Sequence, residues 1–304
     1  MKALLAFVAC ALALVPAGSA QSEEYPARPV ELIVPWSPGG GSDTIMRIVA
    51  RMIEPYLGVP MQVVNMPGLS GTTGLRAAAA QAPDGYTLAQ LHEGLLIAHK
   101  TGLTEISRDD FVPVAMVSSS AQYLAVGADT PWRDFRSFAA FVQENPGQVG
   151  IGVTLGGVSH LHAAVIEDAI GGDFDYRGFE GTAAVDAAIV DFAAVCDEVE
   201  AGRVRLLAVG TAQRLPTTPD VPTLTELGHD IDLTVTRGIV LPLGARPEVA
   251  AVVEDALARL SRDEAFRAAL TELGAEPAFA GKEAYQERLR KLDAMIDRVI
   301  SRLN

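Results

Sequence analysis

Cysteine is nearly missing from this chain: of 304 residues only two are Cys, and one of them, Cys10, lies in an apolar N-terminal stretch. With Cys196 alone beyond that stretch, no intramolecular disulfide can form, so the fold must rest on its apolar cores. Cys196 itself reads as a small buried apolar residue. Basic residues are also scarce, with 24 Lys and Arg against 38 Asp and Glu and a net charge of −14. So acidic a chain is a poor partner for nucleic acid or for an anionic membrane surface. Past residue 20 the chain has no apolar run long enough to span a bilayer, no low-complexity segment and no repeat of solenoid period. It has no P-loop, and Gly39-Gly40-Gly41 is not completed at Thr44 into a dinucleotide fingerprint. Gly68-Leu69-Ser70-Gly71 approaches a nucleophile elbow without its final glycine spacing, and no Ser–His–acid order stands out. His160 and His162 stand two apart on an expected helix and face different directions, with no Cys or acidic cluster to complete a metal site. The expectation is therefore a protein without metal, cofactor or catalytic residue.

The chain opens with Lys2, an almost wholly apolar Ala3–Val15 and a small-residue site at Gly18-Ser19-Ala20. That is the pattern of a secretory leader, cleaved after Ala20. The apolar core is too short to anchor the protein. Export of a soluble protein follows, whose net charge is one unit more negative once Lys2 is lost. The remainder is long enough for two domains with proper cores.

The stretch that organises the rest is Val30–Arg51. Leu32-Ile33-Val34 is a buried-strand run ended by Pro35, and Pro38-Gly39-Gly40-Gly41 is a loop without side-chain bulk. Ser42 or Asp43 is then expected to cap a helix whose apolar residues Ile45, Ile48, Val49, Met52, Ile53, Tyr56 and Leu57 fall on one face. Asp43 also adds a first-turn negative charge that favours the helix. A strand, a glycine loop and a helix N-terminus make an anion site, because unpaired N–H groups and the helix dipole both favour negative charge. The unit recurs: strand Met61–Val64, glycine loop Pro67–Gly74, helix Leu75–Ala82 and a third strand at Tyr86–Leu91. Two such loops on neighbouring parallel strands aim their N–H groups at one crevice.

The middle of the chain repeats the plan. Val112–Val126 carries two extended runs, Trp132–Glu144 a helix, and Val149–Val153 a strand. Next come the loop Thr154–Ser159 and a helix through His160 and Ile166. A strand near Phe174–Tyr176 leads through Gly178–Thr182 to a short helix over Ala183–Val190, and Phe192–Val195 and Arg205–Val209 read as buried strands. After a proline-rich connection at Pro216–Gly228, the pattern gives a strand at Thr236–Leu241. Helices follow at Pro247–Leu260, Asp263–Leu273 and Lys282–Leu303. The last carries a core stripe of Tyr285, Leu289, Leu292, Ile296, Val299 and Leu303. This is an α/β chain with helices on both sheet faces, in two lobes with a ligand crevice between them.

These residues resemble a family. Tyr25-Pro26-Ala27-Arg28-Pro29-Val30 followed by Ile33-Val34-Pro35-Trp36 and Gly39-Gly40-Gly41-Ser42-Asp43 is similar to the opening of the Bug/TctC periplasmic binding proteins, the solute receptors of tripartite tricarboxylate transporters. Asn65-Met66-Pro67-Gly68, Pro83-Asp84-Gly85-Tyr86-Thr87-Leu88, Asp110-Phe111-Val112-Pro113-Val114, Ser159-His160-Leu161, Arg205-Leu206-Leu207-Ala208-Val209 and Pro219-Asp220-Val221-Pro222-Thr223 continue it in order. The resemblance implies a two-lobed binding protein, type II-like, a Venus flytrap whose lobes are each a mainly parallel sheet flanked by helices. Residues 21–123 and 235–304 would form one lobe and 124–234 the other. It implies a small carboxylate ligand, di- or tricarboxylate or a related organic acid, delivered to large and small membrane subunits by a periplasmic monomer. A sensing receptor for a membrane signalling partner would use the same lobes, and a secreted α/β hydrolase is the alternative from another class.

Carried over residue by residue, the ligand contacts fall on Trp36, Gly40, Gly41, Ser42 and Asp43 in the first loop and on Ser70, Gly71, Thr72, Thr73 and Gly74 in the second. From the other lobe come Gly156, Ser159, His160, Gly181 and Thr182. Backbone nests of this kind hold a carboxylate without any arginine. Met66 stands where the family usually has Arg, and the usual glycine pair before Asp191 is missing, with Asp191–Gly202 expected to be shortened. Glu93 stands where small hydroxyl residues are commoner; facing the cleft, it would repel a further carboxylate and welcome an amine.

Overall fold

The computed structural model describes residues 25–178 and 185–302. The expected leader, Leu303 and the candidate ligand residues Gly181 and Thr182 lie outside the described residues. The strands are β1 (Val30–Val34), β2 (Met61–Asn65), β3 (Thr87–Leu91), β4 (Phe111–Gly127), β5 (Val149–Val153), β6 (Phe174–Gly178), β7 (Ala187–Asp191), β8 (Val204–Val209), β9 (Thr234–Pro242) and β10 (Glu276–Gly281). The helices are α1 (Gly41–Met52), α2 (Glu54–Leu57), α3 (Thr72–Ala79), α4 (Gly94–Lys100), α5 (Phe135–Glu144), α6 (Val158–Ile170), α7 (Phe192–Glu200), α8 (Pro247–Leu260), α9 (Glu264–Glu272) and α10 (Lys282–Val299).

The strands follow the order β2-β1-β3-β9-β4-β7-β5-β6, with β10 and β8 also paired to β4. The βα units give the parallel pairs β1/β2, β1/β3, β5/β6 and β5/β7. Between these two parallel halves lie β9 and β4, antiparallel to their neighbours. The seventeen-residue β4 belongs to both halves. From Phe111 to Ala121 it pairs with β9, and β10 flanks the Ala115–Ser119 part of that stretch. From Gln122 onward its partners are β7 and β8. The two extended runs expected over Val112–Val126 are thus one strand that changes partners midway.

Two large cores flank this arrangement. One packs Val34, Met46, Val49 and Ile53 against Val253, Leu257 and Phe266 from α8 and α9. The other runs from Leu75, Leu91 and Ile97 through the α10 residues Tyr285 and Leu292 into Phe138, Ile151 and Leu161. Each fully buried side chain of this size contributes about 1.5–3 kcal/mol. The α10 stripe falls as its spacing requires, with Tyr285, Leu289, Leu292, Ile296 and Val299 all buried. Gly238 on β9 leaves the room that the Tyr285 ring occupies, since a Cβ there would meet ring carbon Cζ at 2.2 Å.

Two middle elements differ from expectation. Ala187–Val190, within the helix expected over Ala183–Val190, belongs instead to strand β7, because its backbone is claimed on both sides by β4 and β5. Phe192–Val195, expected as a strand, opens helix α7, so the Asp191–Gly202 segment carries a nine-residue helix. Cys196 on that helix is half-buried rather than fully enclosed. Helix α4 and strand β10 had no counterpart in the sequence pattern.

Candidate functional site

The first glycine loop leaves β1 at Val34 and enters α1. Gly40, not Ser42 or Asp43, is the N-cap residue, in extended conformation and with no side-chain cap. Asp43 instead sits in the first turn and reaches back: one carboxylate oxygen accepts from the Gly39 N–H (2.8 Å) and Arg47 Nε (3.0 Å), the other from Asn65 Nδ2 (2.8 Å). Burial pushes this carboxyl up, but the bonds from Arg47, Gly39 and Asn65 together hold it below the usual aspartate range. Asn65, at the end of β2, also donates to the Trp36 carbonyl (3.0 Å) and accepts from Arg47 Nη2 (2.7 Å). The Asp43 side chain is thereby spent on holding the loop; toward a ligand it offers only its backbone.

Trp36 joins the two loops. Its indole N–H donates to Gln90 Oε1 (2.9 Å), and its ring stacks on His92 at 4.4 Å with an interplanar angle of 9°. Gly71 lies against the same ring: at φ +86°, a Cβ there would meet Trp36 Cζ2 at 2.8 Å. Gly71 is the N-cap residue of α3, so the second helix N-terminus abuts the indole. Just before it, Leu69 (φ 46°) and Ser70 (φ 53°) both take left-handed backbone, and both are exposed. Consecutive non-glycine residues in that region store about 1–3 kcal/mol each, and such strain gathers at ligand loops. The Thr72 hydroxyl donates to Leu69 O (2.8 Å) and is fully buried, whereas Thr73 is exposed. His92 is closed in: its Nδ1 accepts from the Gly94 N–H (2.8 Å), and burial pushes its pKa down to about 3.

The loop after β5 is tied by its own helix. The Thr154 N–H donates to Ser159 Oγ (2.9 Å) and the Gly156 N–H to His160 Nδ1 (3.1 Å). His160 is buried edge-on to Tyr176 with ring centroids 4.5 Å apart. Gly156 (φ +69°) has open space where a Cβ would be.

Two charged residues change the electrostatic account. Glu93 does not face solvent: it is wholly buried, and Oε1 accepts from the Thr236 N–H (2.9 Å) and hydroxyl (2.6 Å), while Oε2 has no hydrogen-bond partner among the described residues. Burial pushes its carboxyl up against the opposing bonds from Thr236. Arg237, next to Thr236 on β9, had no role in the sequence reading. It is 6% exposed, yet donates from Nε to Ser42 Oγ (3.2 Å) and from Nη1 to Ser120 Oγ (2.8 Å). The available sign was a lone charge inside the largely apolar strand β9. Among the described residues no group of three or more His, Cys, Asp or Glu is placed to hold a metal ion, and no helix is long and apolar enough to cross a membrane.

Two parallel βα halves joined by shared antiparallel strands, with glycine loops at helix N-termini, define a two-lobed α/β solute-binding protein. The family model described as the tripartite tricarboxylate transporter family receptor, TctC, matches residues 45–304. The chain belongs to that family. It is similar to a TctC solute-binding protein from Polaromonas solved without ligand (32% identity, TM-score 0.81), covering 91% of this chain and 99% of that one. It is also similar to MatC from Rhodopseudomonas palustris with bound malate (25% identity, TM-score 0.73), covering 92% of this chain and 100% of the other. The UPF0065 protein in the gbd 5′ region of Cupriavidus necator is 30% identical over 97% of this chain and 94% of its own length.

Proposed function

We propose that this chain is a periplasmic receptor that takes up a small carboxylate between its lobes and hands it to the membrane subunits of a tripartite transporter, without chemistry of its own. One observation carries the reading: the N-termini of α1 and α3 follow adjacent parallel strands, and Gly71 at the start of α3 lies against the ring of Trp36 in the loop that leads into α1. The first turn of each helix leaves N–H groups without intrahelical partners, and a carboxylate satisfies several at once. Malate in the MatC structure belongs to the same chemical class. The leader-like N-terminus fits an exported protein. The lobes divide as 21–123 with 235–304, and 124–234, consistent with the change of β4 partners after Ala121. The ligand is held by Trp36, Gly40–Asp43 and Ser70–Thr73 from the first lobe and by Gly156, Ser159, His160, Gly181 and Thr182 from the second.

Thermal unfolding against a broad carboxylate panel tests this. At a hundredfold excess over Kd, a bound acid raises stability by about 2.7 kcal/mol, and the acid is recovered unchanged. A panel without any shift, together with cleavage of esters or peptides, would place the protein among hydrolases instead.

A further inference from the structure

The glycine loops leave one strong charge unexplained. Arg237 is more than nine-tenths buried, and an arginine side chain does not shed its proton in a protein. No carboxylate among the described residues lies within ion-pair distance of it. Asp191 and Glu93 are the acids whose charge it feels. Asp191 has one oxygen engaged by Gln122 Nε2 at 2.6 Å, and Glu93 has one engaged by Thr236. Burial pushes both carboxyls up, which weakens rather than removes the compensation they give the cation. An unpaired charge at this depth is costly unless something supplies its counter-charge.

The geometry shows where a counter-charge fits. With Nε on Ser42 and Nη1 on Ser120, the guanidinium is oriented by two hydroxyls, and Nη2 makes no hydrogen bond among the described residues. Nη2 points at the start of α1, 3.4 Å from where a Cβ on Gly41 would sit. A cavity of about 460 Å³ opens there, lined by Gly39, Gly41, Thr44, Ser120, Asp191 and Ala194, with Arg237 its one cationic side chain among the described residues. That volume lies within the ordinary range for small-molecule sites.

We propose that Arg237 is the charged anchor for one carboxylate of the bound solute, received between the N-terminus of α1 and the β7–α7 junction. Nη2 donates to the anion, the first-turn N–H groups of α1 add their dipole, and Ser42 and Ser120 keep the guanidinium plane fixed. The inference rests on the receptor reading and deepens it. The subsite accepts a single carboxylate: a second negative group there would meet Asp191 and no further cation. The glycine residues at 39 and 41 then serve an arginine-held anion as well as a backbone nest.

Calorimetry at constant ionic strength on the full chain decides the matter, with acetate, benzoate, succinate, malate, glutarate and citrate as probes. The tightest-binding probe should lose at least thirtyfold in affinity in Arg237→Gln and less in Arg237→Lys, which keeps the charge. Asp191→Asn should strengthen the same probe severalfold, because it removes a like charge facing the anion; a carboxylate bound outside this cavity would show no such gain. The ligand-free melting temperature of Arg237→Gln should equal or exceed that of the wild type, since the variant removes an uncompensated buried charge. Wild-type affinity in Arg237→Gln overturns the anchor and leaves the receptor intact. A lower ligand-free melting temperature with affinity retained makes Arg237 structural and also overturns it. Should Arg237→Gln fail to fold, unchanged affinity in both Arg237→Lys and Asp191→Asn has the same force. If no probe binds the wild type, the receptor reading falls and the anchor with it.

Discussion

Gly71 and Gly156 both sit at positive φ in loops that lead into helices, yet their surroundings are opposite. Gly71 is pressed under the Trp36 ring, and that ring is fixed by Gln90 and stacked on His92. Gly156 has nothing among the described residues within 4 Å of where a side chain would begin, and the side chains of Ser159 and His160, from its own helix, hold its loop. The Gly71 loop is therefore built against a neighbouring loop, through the Trp36 ring that Gln90 and Asn65 hold in place. The Gly156 loop is built against itself. In the receptor reading, one face of the site is set before ligand arrives, and the other is a local motif carried on the second lobe. Preorganisation on one side lowers what binding must spend on ordering loops.

The largest effect should come from Gly71. Gly71→Ala adds positive-φ strain of about 1 kcal/mol and an overlap with the indole that costs about 1–3 kcal/mol more. Denaturant unfolding should show a loss of roughly 2–4 kcal/mol, with weakened carboxylate binding as Trp36 is displaced. A fully stable variant with normal affinity would mean the indole moves freely, and the contrast between the loops would collapse.

The pH response should be next in size. His92, behind the indole, has a folded pKa near 3 against an unfolded value of about 6.5. A histidine depressed in this way gives its full stability above pH 6.5 and loses it as pH falls toward 3. Between pH 7 and pH 5 the loss from this residue is about 2 kcal/mol. His162, fully buried and pushed down to about 4, adds a loss of the same sign. In His92→Gln, the fall in melting temperature between those pH values should be smaller than in the wild type; an equal fall would show that His92 is not held neutral.

Gly156→Ala should matter least, about 1 kcal/mol from backbone strain alone, because a methyl group has room there. A loss as large as that of Gly71→Ala would reveal packing around the second loop comparable to the first, and so erase the distinction.

The parts legible in the sequence were those with local causes. Strands β1, β2, β3 and β5, the glycine loops between them and their helices, and the stripe of α10 follow from short apolar runs, glycine and spacing. The parts that were not legible depend on distant partners. Ala187–Val190 is alanine-rich enough to read as helix, and only pairing with β4 and β5 makes it a strand. Phe192–Val195 is too short to distinguish a strand from the first turn of a helix. Strand β10, with Pro277 and a break in its register with β4, has no alternation to betray it. The candidate site divides the same way. Trp36 and the glycines are visible in one stretch each, whereas Arg237 meets Ser42 across 195 residues of chain and Ser120 across 117.

The position of β9 also sets the order in which the protein can be made. It lies between β3 and β4, yet Thr236 comes 143 residues after Glu93, whose carboxyl it holds. A chain emerging from the ribosome has β1 to β4 in hand long before the strand that joins β3 to β4 exists. Until about residue 242 is available, that sheet has a missing middle and two unpaired strand edges. Early compaction is deferred, which keeps the nascent chain extended and threadable, and completion depends on contacts distant in sequence, the slow class. Any product truncated before Thr234 would carry those open edges permanently, an invitation to pair with other chains.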